Sequence, residues 1–580
     1  MERLLYRALH LGAGVPSTSG VSGTDFLRRG NVRQAGWALF LTALIAAPWM
    51  RPGYIFATDW PGPKTIPYPT DISSSALLQV ILATASRTIG GEATTKVLLI
   101  FCIFAAALLA ARAAPVTSFG PAAAAATLYV INPFVYGRLQ YGQLYLLAGY
   151  AIIPWVATRL RLLFEEPDIR NAVVAAAALA LLAIPSLHLF FMSGLLIATF
   201  TVTYVASAPR AWAYAARLAR LLGLTVAVTL LLSAYWIVPL FRGIGPEGSR
   251  LAGIGSGDLG AFAAVPDTSL GLLPNLLGLY GFWAEAAGRF SSMKVFVPLW
   301  PLVLAALLAV CVAGVVAGAR GDQNRWRPWI AGLVLASTIA LVLEAGTSSA
   351  LTAGLVAWLS DHFKPYEGVR DAGKWAAMLA LTYSQLFAFG AAFVVRWVGE
   401  HIRSDQIRPI GREVAMGALV ALPLYYGNGL LFGIHGEIAP SQYPPGWYQA
   451  ERVIANDRIP PRTLFLPWHQ YMSYSFVHNQ NSVVASPAPT FFSVPIVSSE
   501  DPEVPGVAAP MSPDQQAVSR LVSQGASGEW APVLAERHLK FVLLAREVDW
   551  RSYGYLDSQP GLVKIADFGS IELFRNTAVS

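Results

Sequence analysis

An aspartate in a loop between apolar segments is the sharpest candidate for catalysis in this chain of 580 residues. Asp59 is followed by Trp60 and Pro61, which could stiffen the loop, and the indole offers an aromatic face for a sugar. A carboxylate placed there can take the proton of a hydroxyl group. The alternative is a solvated aspartate that caps a turn. Asp71 is a weaker candidate for the same role, because it also suits the start of a helix.

Three cations are candidate ligands for a phosphate group. Arg370 and Lys374 are spaced i, i+4, so we expect them to share one face of a helix that enters the membrane. At headgroup level they could bind the phosphate of a lipid-linked donor, with interfacial anchoring as the alternative. Arg138 lies in a short turn between apolar segments, where a lone arginine is costly and often functional, or simply caps carbonyl groups. His188 could contact substrate or serve as a hydrogen-bonded structural residue.

The sequence does not indicate a metal or cofactor site. The histidines of the C-terminal part, His435, His469 and His478, lack the spacing of metal ligands. Cys102 and Cys311 each lie inside an apolar run, so neither suits a disulfide or a metal. The chain shows no phosphate-binding glycine loop and no Ser-His-Asp arrangement. We therefore expect neither a metal nor a cofactor.

The elements that must position these residues are apolar. Hydrophobic residues make up 55% of the chain and charged residues 13%, and the mean hydropathy of +0.50 is typical of a membrane protein. We predict about eleven membrane spans. They are Ala35–Met50, Lys96–Ala111, Pro121–Tyr136, Leu144–Leu160, Ala172–Pro185, Leu189–Val205, Leu221–Leu240, Val295–Ala317, Trp329–Glu344, Trp375–Val395 and Val414–Leu431.

The net charge of +7 is distributed unevenly along the chain. Arginines cluster in alternate short loops, such as Arg28 and Arg33 before the first span, whereas the opposite loops are long and rich in Gly and Pro. This positive-inside pattern sets topology and does not indicate nucleic-acid binding. We expect a multi-pass plasma-membrane protein with residues 1–34 in the cytoplasm and a transmembrane domain over residues 35–432. An odd number of spans places residues 433–580 outside the cytoplasm.

Residues 433–580 are polar and rich in proline, and they predict a small soluble α/β domain. Short strands with β-branched and aromatic residues are predicted at Arg462–Trp468, Ser482–Ala485, Lys540–Leu544 and Ile571–Phe574, and short helices at Ala517–Ser523 and Ala531–His538. The predicted fold class is therefore mainly α: a polytopic helical membrane protein with a C-terminal extracytoplasmic α/β domain.

Several short motifs, in this order along the chain, carry a resemblance to a known family. They are Asn132-Pro133-Phe134 with Gly137 and Arg138, Gly142-Gln143, Gly149-Tyr150, Pro154-Trp155, Ser233-Ala234-Tyr235-Trp236-Ile237-Val238-Pro239, Ser269-Leu270 through Gly281-Phe282-Trp283, and Arg370-Asp371-Ala372-Gly373-Lys374. With these motifs the sequence resembles polyprenyl-dependent GT-C glycosyltransferases, above all the membrane part of cell-wall arabinofuranosyltransferases. In the last motif, Asp371 and Ala372 stand where the family tends to have glutamate and proline. The chain is also much shorter than the long arabinosyltransferases.

The resemblance implies an active site in the first external loop, facing a lipid-phosphate sugar donor within the surrounding membrane lipids. It implies Asp59 as the base and, less directly, Arg370 and Lys374 as phosphate ligands. The implied function is an inverting transferase that moves a sugar from a polyprenyl phosphate to an extracytoplasmic glycan or lipid acceptor. The sugar is arabinofuranose or another pentose or hexose. The sequence leaves the acceptor, the linkage and the oligomeric state open.

Two other functions compete with the transferase. A transporter or flippase of lipid-linked sugars would also be polytopic, but it should show paired half-sequences and ionisable residues at mid-membrane. The chain shows no such repeat, and most of its charges lie at the ends of loops. This distribution favours the enzyme. An inactive scaffold of an envelope-assembly complex is the second alternative.

The predicted topology can be tested by cysteine labelling. A cysteine introduced at Ser558 should react with a membrane-impermeant maleimide in intact spheroplasts, because residues 433–580 are expected outside the cytoplasm. A cysteine at Ser404, in a predicted cytoplasmic loop, should react only after lysis. The reverse pattern would overturn the assignment of both sides.

Overall fold

The computed structural model describes residues 23–579, with gaps at 244–255, 321–325, 458–460, 479–482, 505–506 and 508–510. Residues 1–22 of the predicted cytoplasmic segment lie outside the described residues. The chain is mainly helical, and a mixed α/β sheet region follows at its C-terminal end. This confirms the predicted combination of a polytopic helical part with a C-terminal α/β part.

Seven helices of the described ranges are long and apolar enough to cross a bilayer. They are Gly91–Ala113, Leu144–Glu165, Leu187–Ser207, Ala211–Leu232, Trp300–Gly318, Arg327–Ser348 and Ala372–His401. The pair Arg408–Tyr426 and Asn428–His435 is bent by 65° and would be an eighth span if it crosses as one unit. The chain is therefore an integral membrane protein.

The predicted count of about eleven spans exceeds this number. The predicted span Pro121–Tyr136 is broken into the helices Phe119–Val130 and Pro133–Tyr141. The break has a local cause, because Asn132 caps the second helix through its side chain and Pro133 cannot continue the first. Similarly, Ile169–Ala183 has only 15 residues. Apolar composition alone does not show where a helix stops.

Shorter helices fill the connections between the spans. They include Ala76–Thr88, Ala234–Phe241, Ser256–Ala261, Leu272–Leu277, Trp283–Ala286, Ala350–His362 and Lys364–Glu367. Those between residues 256 and 296 and between 350 and 367 belong to long loops, which contribute several residues to the site described below. The helix Gly23–Ala46, of 24 residues, precedes the seven spans and overlaps the predicted span Ala35–Met50, but it is not one of the seven.

The helix Ala376–His401 is the packing centre of the membrane part. It contacts Trp300–Arg320, Phe119–Val130 and Arg408–Tyr426. Gly314 and Gly390 allow the closest of these crossings, since a Cβ atom at either glycine would collide with a backbone carbonyl of the facing helix. This packing fixes the position of the segment that directly precedes the helix, which carries the candidate phosphate ligands.

The C-terminal region contains a five-stranded sheet with the order β6-β3-β7-β9-β8. The nine strands of the described chain are β1 Phe56–Ala57, β2 Trp60–Pro61, β3 Arg462–Leu466, β4 Tyr471–Met472, β5 Val484–Ala485, β6 Ile496–Val497, β7 Leu539–Ala545, β8 Leu562–Asp567 and β9 Ile571–Asn576. β3 pairs in parallel with β6 and β7, whereas β9 pairs antiparallel with β7 and β8. The four predicted strands correspond to β3, β5, β7 and β9, whereas β1, β2, β4, β6 and β8 were not predicted.

Alternate side chains of the sheet enter two separate hydrophobic cores. Phe465 of β3 and Leu543 of β7 lie in one core with the helix Pro445–Ala455, and their sequence neighbours lie in the other with the helices Pro513–Gln524 and Trp530–Ala535. This arrangement follows from the two-residue period of a strand. The sheet is therefore covered on both faces.

The loop that carries Asp59 packs against this C-terminal region. β1 and β2 form a hairpin whose two turn residues are Thr58 and Asp59. Phe56 of β1 is buried in the C-terminal core, with its ring 5.3 Å from that of Tyr443. The amide of Ala485 donates a hydrogen bond of 2.8 Å to the carbonyl of Thr58. The C-terminal region is thus seated directly on the loop that carries the candidate base.

Candidate active site

Asp59 is half-buried at the tip of the hairpin and is held from three sides. Its backbone N–H donates to the carbonyl of Tyr141 at 2.7 Å. Its carboxylate accepts a hydrogen bond of 2.9 Å from the hydroxyl of Tyr471 in β4. A longer contact of 3.5 Å joins the other carboxylate oxygen to the side-chain amide of Gln143. The orientation of the carboxylate is therefore fixed.

The surroundings of Asp59 also set its basicity. Burial raises the pKa of the carboxyl group to about 6, and the hydrogen bonds from Tyr471 and Gln143 and the positive charges of Lys374 and Arg138 limit this rise. The group is consequently ionised at neutral pH and yet more basic than an ordinary aspartate. A general base requires this combination.

A buried ion pair lies behind this carboxylate. The guanidinium of Arg138 donates to Asp371 at 2.6 and 3.4 Å, and the two residues are 1% and 5% exposed. It also donates to the side-chain oxygen of Gln143 at 2.9 Å and lies 3.9 Å from the ring centroid of Phe282. Gln143 in turn contacts Asp59. A chain of polar contacts thus runs from the ion pair to the candidate base.

The helix Pro133–Tyr141 positions both Arg138 and Gln143. It ends at Gly142, which has a φ of +80° and reverses the chain. A Cβ atom at this glycine would lie 2.9 Å from the amide nitrogen of Trp60. Only glycine therefore permits the close approach of this helix end to the hairpin that carries the base.

The predicted pairing of Arg370 and Lys374 on one helix face is wrong. The backbone is extended at Asp371, a short 3-10 turn covers Ala372–Trp375, and the long helix begins only at Ala376. Arg370 and Lys374 consequently do not share a helix face. The guanidinium of Arg370 donates to Asp258 at 2.5 Å and lies 4.8 Å from the ring centroid of Phe262.

Lys374 differs from the two arginines in having no counter-ion in contact. Within the described part of the chain, its ammonium group forms no hydrogen bond and no ion pair of 4 Å or less. It is half-buried and close enough to interact electrostatically with Asp371, Arg138, Arg370 and Asp59. A cation in this state is suited to bind an anion that enters the site.

The remaining predicted site residues are Asp71, Trp60 and His188. Asp71 is exposed, and its carboxylate accepts a hydrogen bond of 3.1 Å from the adjacent Thr70, so the structure does not bring it to Asp59. The indole N–H of Trp60 donates to Thr95 at 3.1 Å, which anchors the hairpin. His188 is half-buried and interacts electrostatically with Lys374.

Sequence reasoning missed several residues of this site. Tyr471 lies 412 residues after its partner Asp59, and no local pattern connects them. Glu344 is fully buried near the Arg138–Asp371 pair, and neither of its carboxylate oxygens has a partner among the described residues. Gln143 could have been found, because it belongs to one of the motifs that carry the family resemblance. No group of acidic, His or Cys side chains in the described ranges could hold a metal ion.

The fold resembles that of GT-C lipid-phosphate glycosyltransferases over nearly the whole chain. The structure is similar to that of the arabinofuranosyltransferase AftD from mycobacteria, with a TM-score of 0.60 and 15% sequence identity over 96% of this chain and 40% of that chain. A mutant form of AftD gives a TM-score of 0.59 and 16% identity, covering 97% and 42%. The predicted resemblance is thereby confirmed as a shared fold.

This similarity covers only part of the AftD chain. The chain spans about two fifths of the length of the AftD chain that it matches. No protein-family model matches the sequence, and no curated protein matches it.

The buried ion pair yields a prediction about stability. Asp371→Asn should destabilise the protein by about 3–5 kcal/mol, because it leaves the charge of Arg138 buried without a counter-ion. The melting temperature of the purified protein in detergent measures this effect. Asp405→Asn is the matched control, since Asp405 forms an exposed pair with Arg408 and should change little.

A double variant provides the counter-test. Replacing both Arg138 and Asp371 by leucine removes both buried charges and should cost less stability than Asp371→Asn alone. An unchanged melting temperature in Asp371→Asn would show that the pair does not hold the site together.

Proposed function

We propose that this protein is an inverting glycosyltransferase that moves a sugar from a polyprenyl phosphate to a glycan or lipid acceptor outside the cytoplasm. The observation that carries the proposal is the half-buried carboxylate of Asp59, fixed by Tyr471 and Gln143 beside the uncompensated ammonium group of Lys374. A base next to a free cation is the arrangement that a displacement at a sugar phosphate requires. The fold shared with AftD supports this assignment.

The proposed reaction is a single displacement. Asp59 takes the proton of the acceptor hydroxyl while the hydroxyl oxygen attacks the anomeric carbon of the donor sugar. The bond between that carbon and the phosphate oxygen breaks, and the electron pair leaves with the lipid phosphate. Lys374 neutralises the charge that develops there. Because attack and departure occur on opposite faces, the anomeric configuration inverts.

The three predicted phosphate ligands differ in availability, since two of them already have carboxylate partners. Arg138 is paired with Asp371 and Arg370 with Asp258. We therefore assign the phosphate primarily to Lys374, with Arg370 at the side and Arg138 as the residue that positions Gln143. The sugar is arabinofuranose or another pentose or hexose, and the hairpin with the C-terminal region lies on the extracytoplasmic side.

The role of Asp59 as base can be tested by substitution. Asp59→Asn should lower turnover about a hundredfold or more, because it keeps the shape of the side chain and removes only its basicity. Polyprenyl-phosphate binding should be nearly unchanged. Asp71→Asn, an exposed aspartate of the same loop, is the matched control and should keep wild-type turnover. Transfer of radiolabelled sugar from polyprenyl phosphates by protein in lipid measures the rates.

The pH dependence should report the same group. A base must be ionised to act, so wild-type turnover should fall as the pH drops through about 6, the pKa of Asp59. Tyr471→Phe should move this midpoint upward, because the lost hydrogen bond stabilises the ionised form. Wild-type turnover in Asp59→Asn would assign the proton transfer to another residue.

The assignment of the phosphate ligands predicts a graded effect on donor binding. Lys374→Gln should weaken binding of a polyprenyl phosphate by roughly 10- to 150-fold, which corresponds to about 1.5–3 kcal/mol for one charge-assisted contact. Arg370→Gln should have a smaller effect, because Asp258 already neutralises this arginine. Titration in nanodiscs measures both affinities. Unchanged affinity in Lys374→Gln would reduce this lysine to a membrane anchor.

A further inference from the structure

A cavity of about 340 Å³ lies where the second long external loop meets the C-terminal region. Trp283, Ala287 and Arg289 line it from the loop, and Glu503 and Val504 line it from the C-terminal region. Most of the remaining wall consists of glycine and alanine residues between positions 260 and 264. The volume falls within the range of small-molecule sites. None of these residues belongs to the machinery assigned above.

Arg289 is the most informative residue of this wall. Its side chain is half-buried, and its guanidinium forms no hydrogen bond and no ion pair with any residue that the structure describes. Arg138 and Arg370, by contrast, both contact a carboxylate. A guanidinium carries five N–H donors in a fixed geometry. In Arg289 these donors are available to a ligand in the cavity.

The same arginine connects the cavity with the candidate base. Its charge acts on the hydroxyl groups of Tyr141 and Tyr471. Tyr471 donates its hydrogen bond to Asp59, and the carbonyl of Tyr141 accepts one from the amide of Asp59. Arg289 is therefore electrostatically coupled to the two tyrosines that contact the candidate base.

Trp283 connects the cavity with Tyr141 and gives the cavity an aromatic surface. It is half-buried and packs edge-to-face against Tyr141 at 5.5 Å and Phe262 at 5.0 Å between ring centroids. Its indole N–H donates to none of the described residues. An apolar ring beside a few well-placed polar donors is the common composition of a ligand site. A sugar ring matches it with its apolar C–H face and its hydroxyl groups.

The charge of the cavity favours a neutral ligand. The carboxylate of Glu503 lies at its edge and is held there by His469, whose Nδ1 is 2.7 Å away. A second phosphate would be repelled by this carboxylate, whereas hydroxyl groups can donate to it.

We propose that this cavity is the acceptor subsite, in which a neutral sugar unit lies against Trp283 and accepts hydrogen bonds from Arg289 while its nucleophilic hydroxyl reaches Asp59. The proposal rests on the proposed glycosyltransferase function and deepens it. It makes Arg289 and Trp283 determinants of acceptor specificity rather than of donor binding.

Direct binding measurements test the subsite without turnover. Saturation-transfer NMR with the full-length protein in nanodiscs would follow short neutral oligosaccharides of arabinose, mannose and galactose. Arg289→Gln and Trp283→Ala should each weaken binding of the preferred oligosaccharide about tenfold or more, while the affinity for polyprenyl phosphate stays unchanged. Arg242→Gln and Trp212→Ala, which replace exposed residues, are the matched controls. Melting temperatures identify any variant that fails to fold, and Arg289→Gln, which breaks no contact, keeps the test decisive.

Each outcome has a defined meaning. Unchanged oligosaccharide affinity in Arg289→Gln, or no binding of any oligosaccharide by the wild type, overturns the subsite. Loss of inorganic phosphate binding in Arg289→Gln, with oligosaccharide binding intact, overturns it in favour of an anion site. Oligosaccharide binding that depends on Arg289 but is never followed by transfer would leave the subsite standing and overturn the proposed function instead.

Discussion

The buried pair of Arg138 and Asp371 is the interaction on which the site depends. It joins residues 233 positions apart and ties the helix Pro133–Tyr141 to the segment that leads into the central membrane helix. Neither charge can be exposed without moving one of these elements, and separating them inside the protein would be costly. Because Arg138 also holds Gln143, the same interaction fixes the environment of Asp59. A single electrostatic contact thus organises both the scaffold and the base.

Contact with a carboxylate distinguishes the cationic residues that build the site from those that are free to bind a ligand. Arg138 and Arg370 resemble phosphate ligands in type, but each contacts a carboxylate and contributes to the architecture. Lys374 and Arg289 contact none within the described part of the chain. Lys374 directly precedes the central membrane helix, and Arg289 lines the cavity beside the C-terminal region. These two cations are therefore the ones available to an anionic or hydrogen-bonding ligand.

The helices and strands of this protein could largely be predicted from the sequence, whereas the contacts between distant residues could not. Apolar runs predicted the long helices, and the β-branched and aromatic residues of Arg462–Trp468 and Lys540–Leu544 predicted the inner strands. β8 was missed because it lies at the sheet edge and exposes most of its side chains. The contacts of Arg370 with Asp258 and of Asp59 with Tyr471 join residues 112 and 412 positions apart. Hydrophobic periodicity reports on neighbours along the chain, so it carries no information on such pairs.

The contacts between the C-terminal region and the first hairpin determine when the hairpin can complete its folding during synthesis. Ribosomes make the hairpin early, whereas Tyr471 and Ala485, which hold it, emerge more than 400 residues later. A nascent chain therefore carries Asp59 long before Tyr471 exists to donate its hydrogen bond, and Phe56 has no core to enter. The hairpin, which is synthesised early, reaches its final contacts only after the C-terminal region has been synthesised. A product truncated before Tyr471 would retain the helices of the membrane part and still lack the hydroxyl group that holds the carboxylate of Asp59.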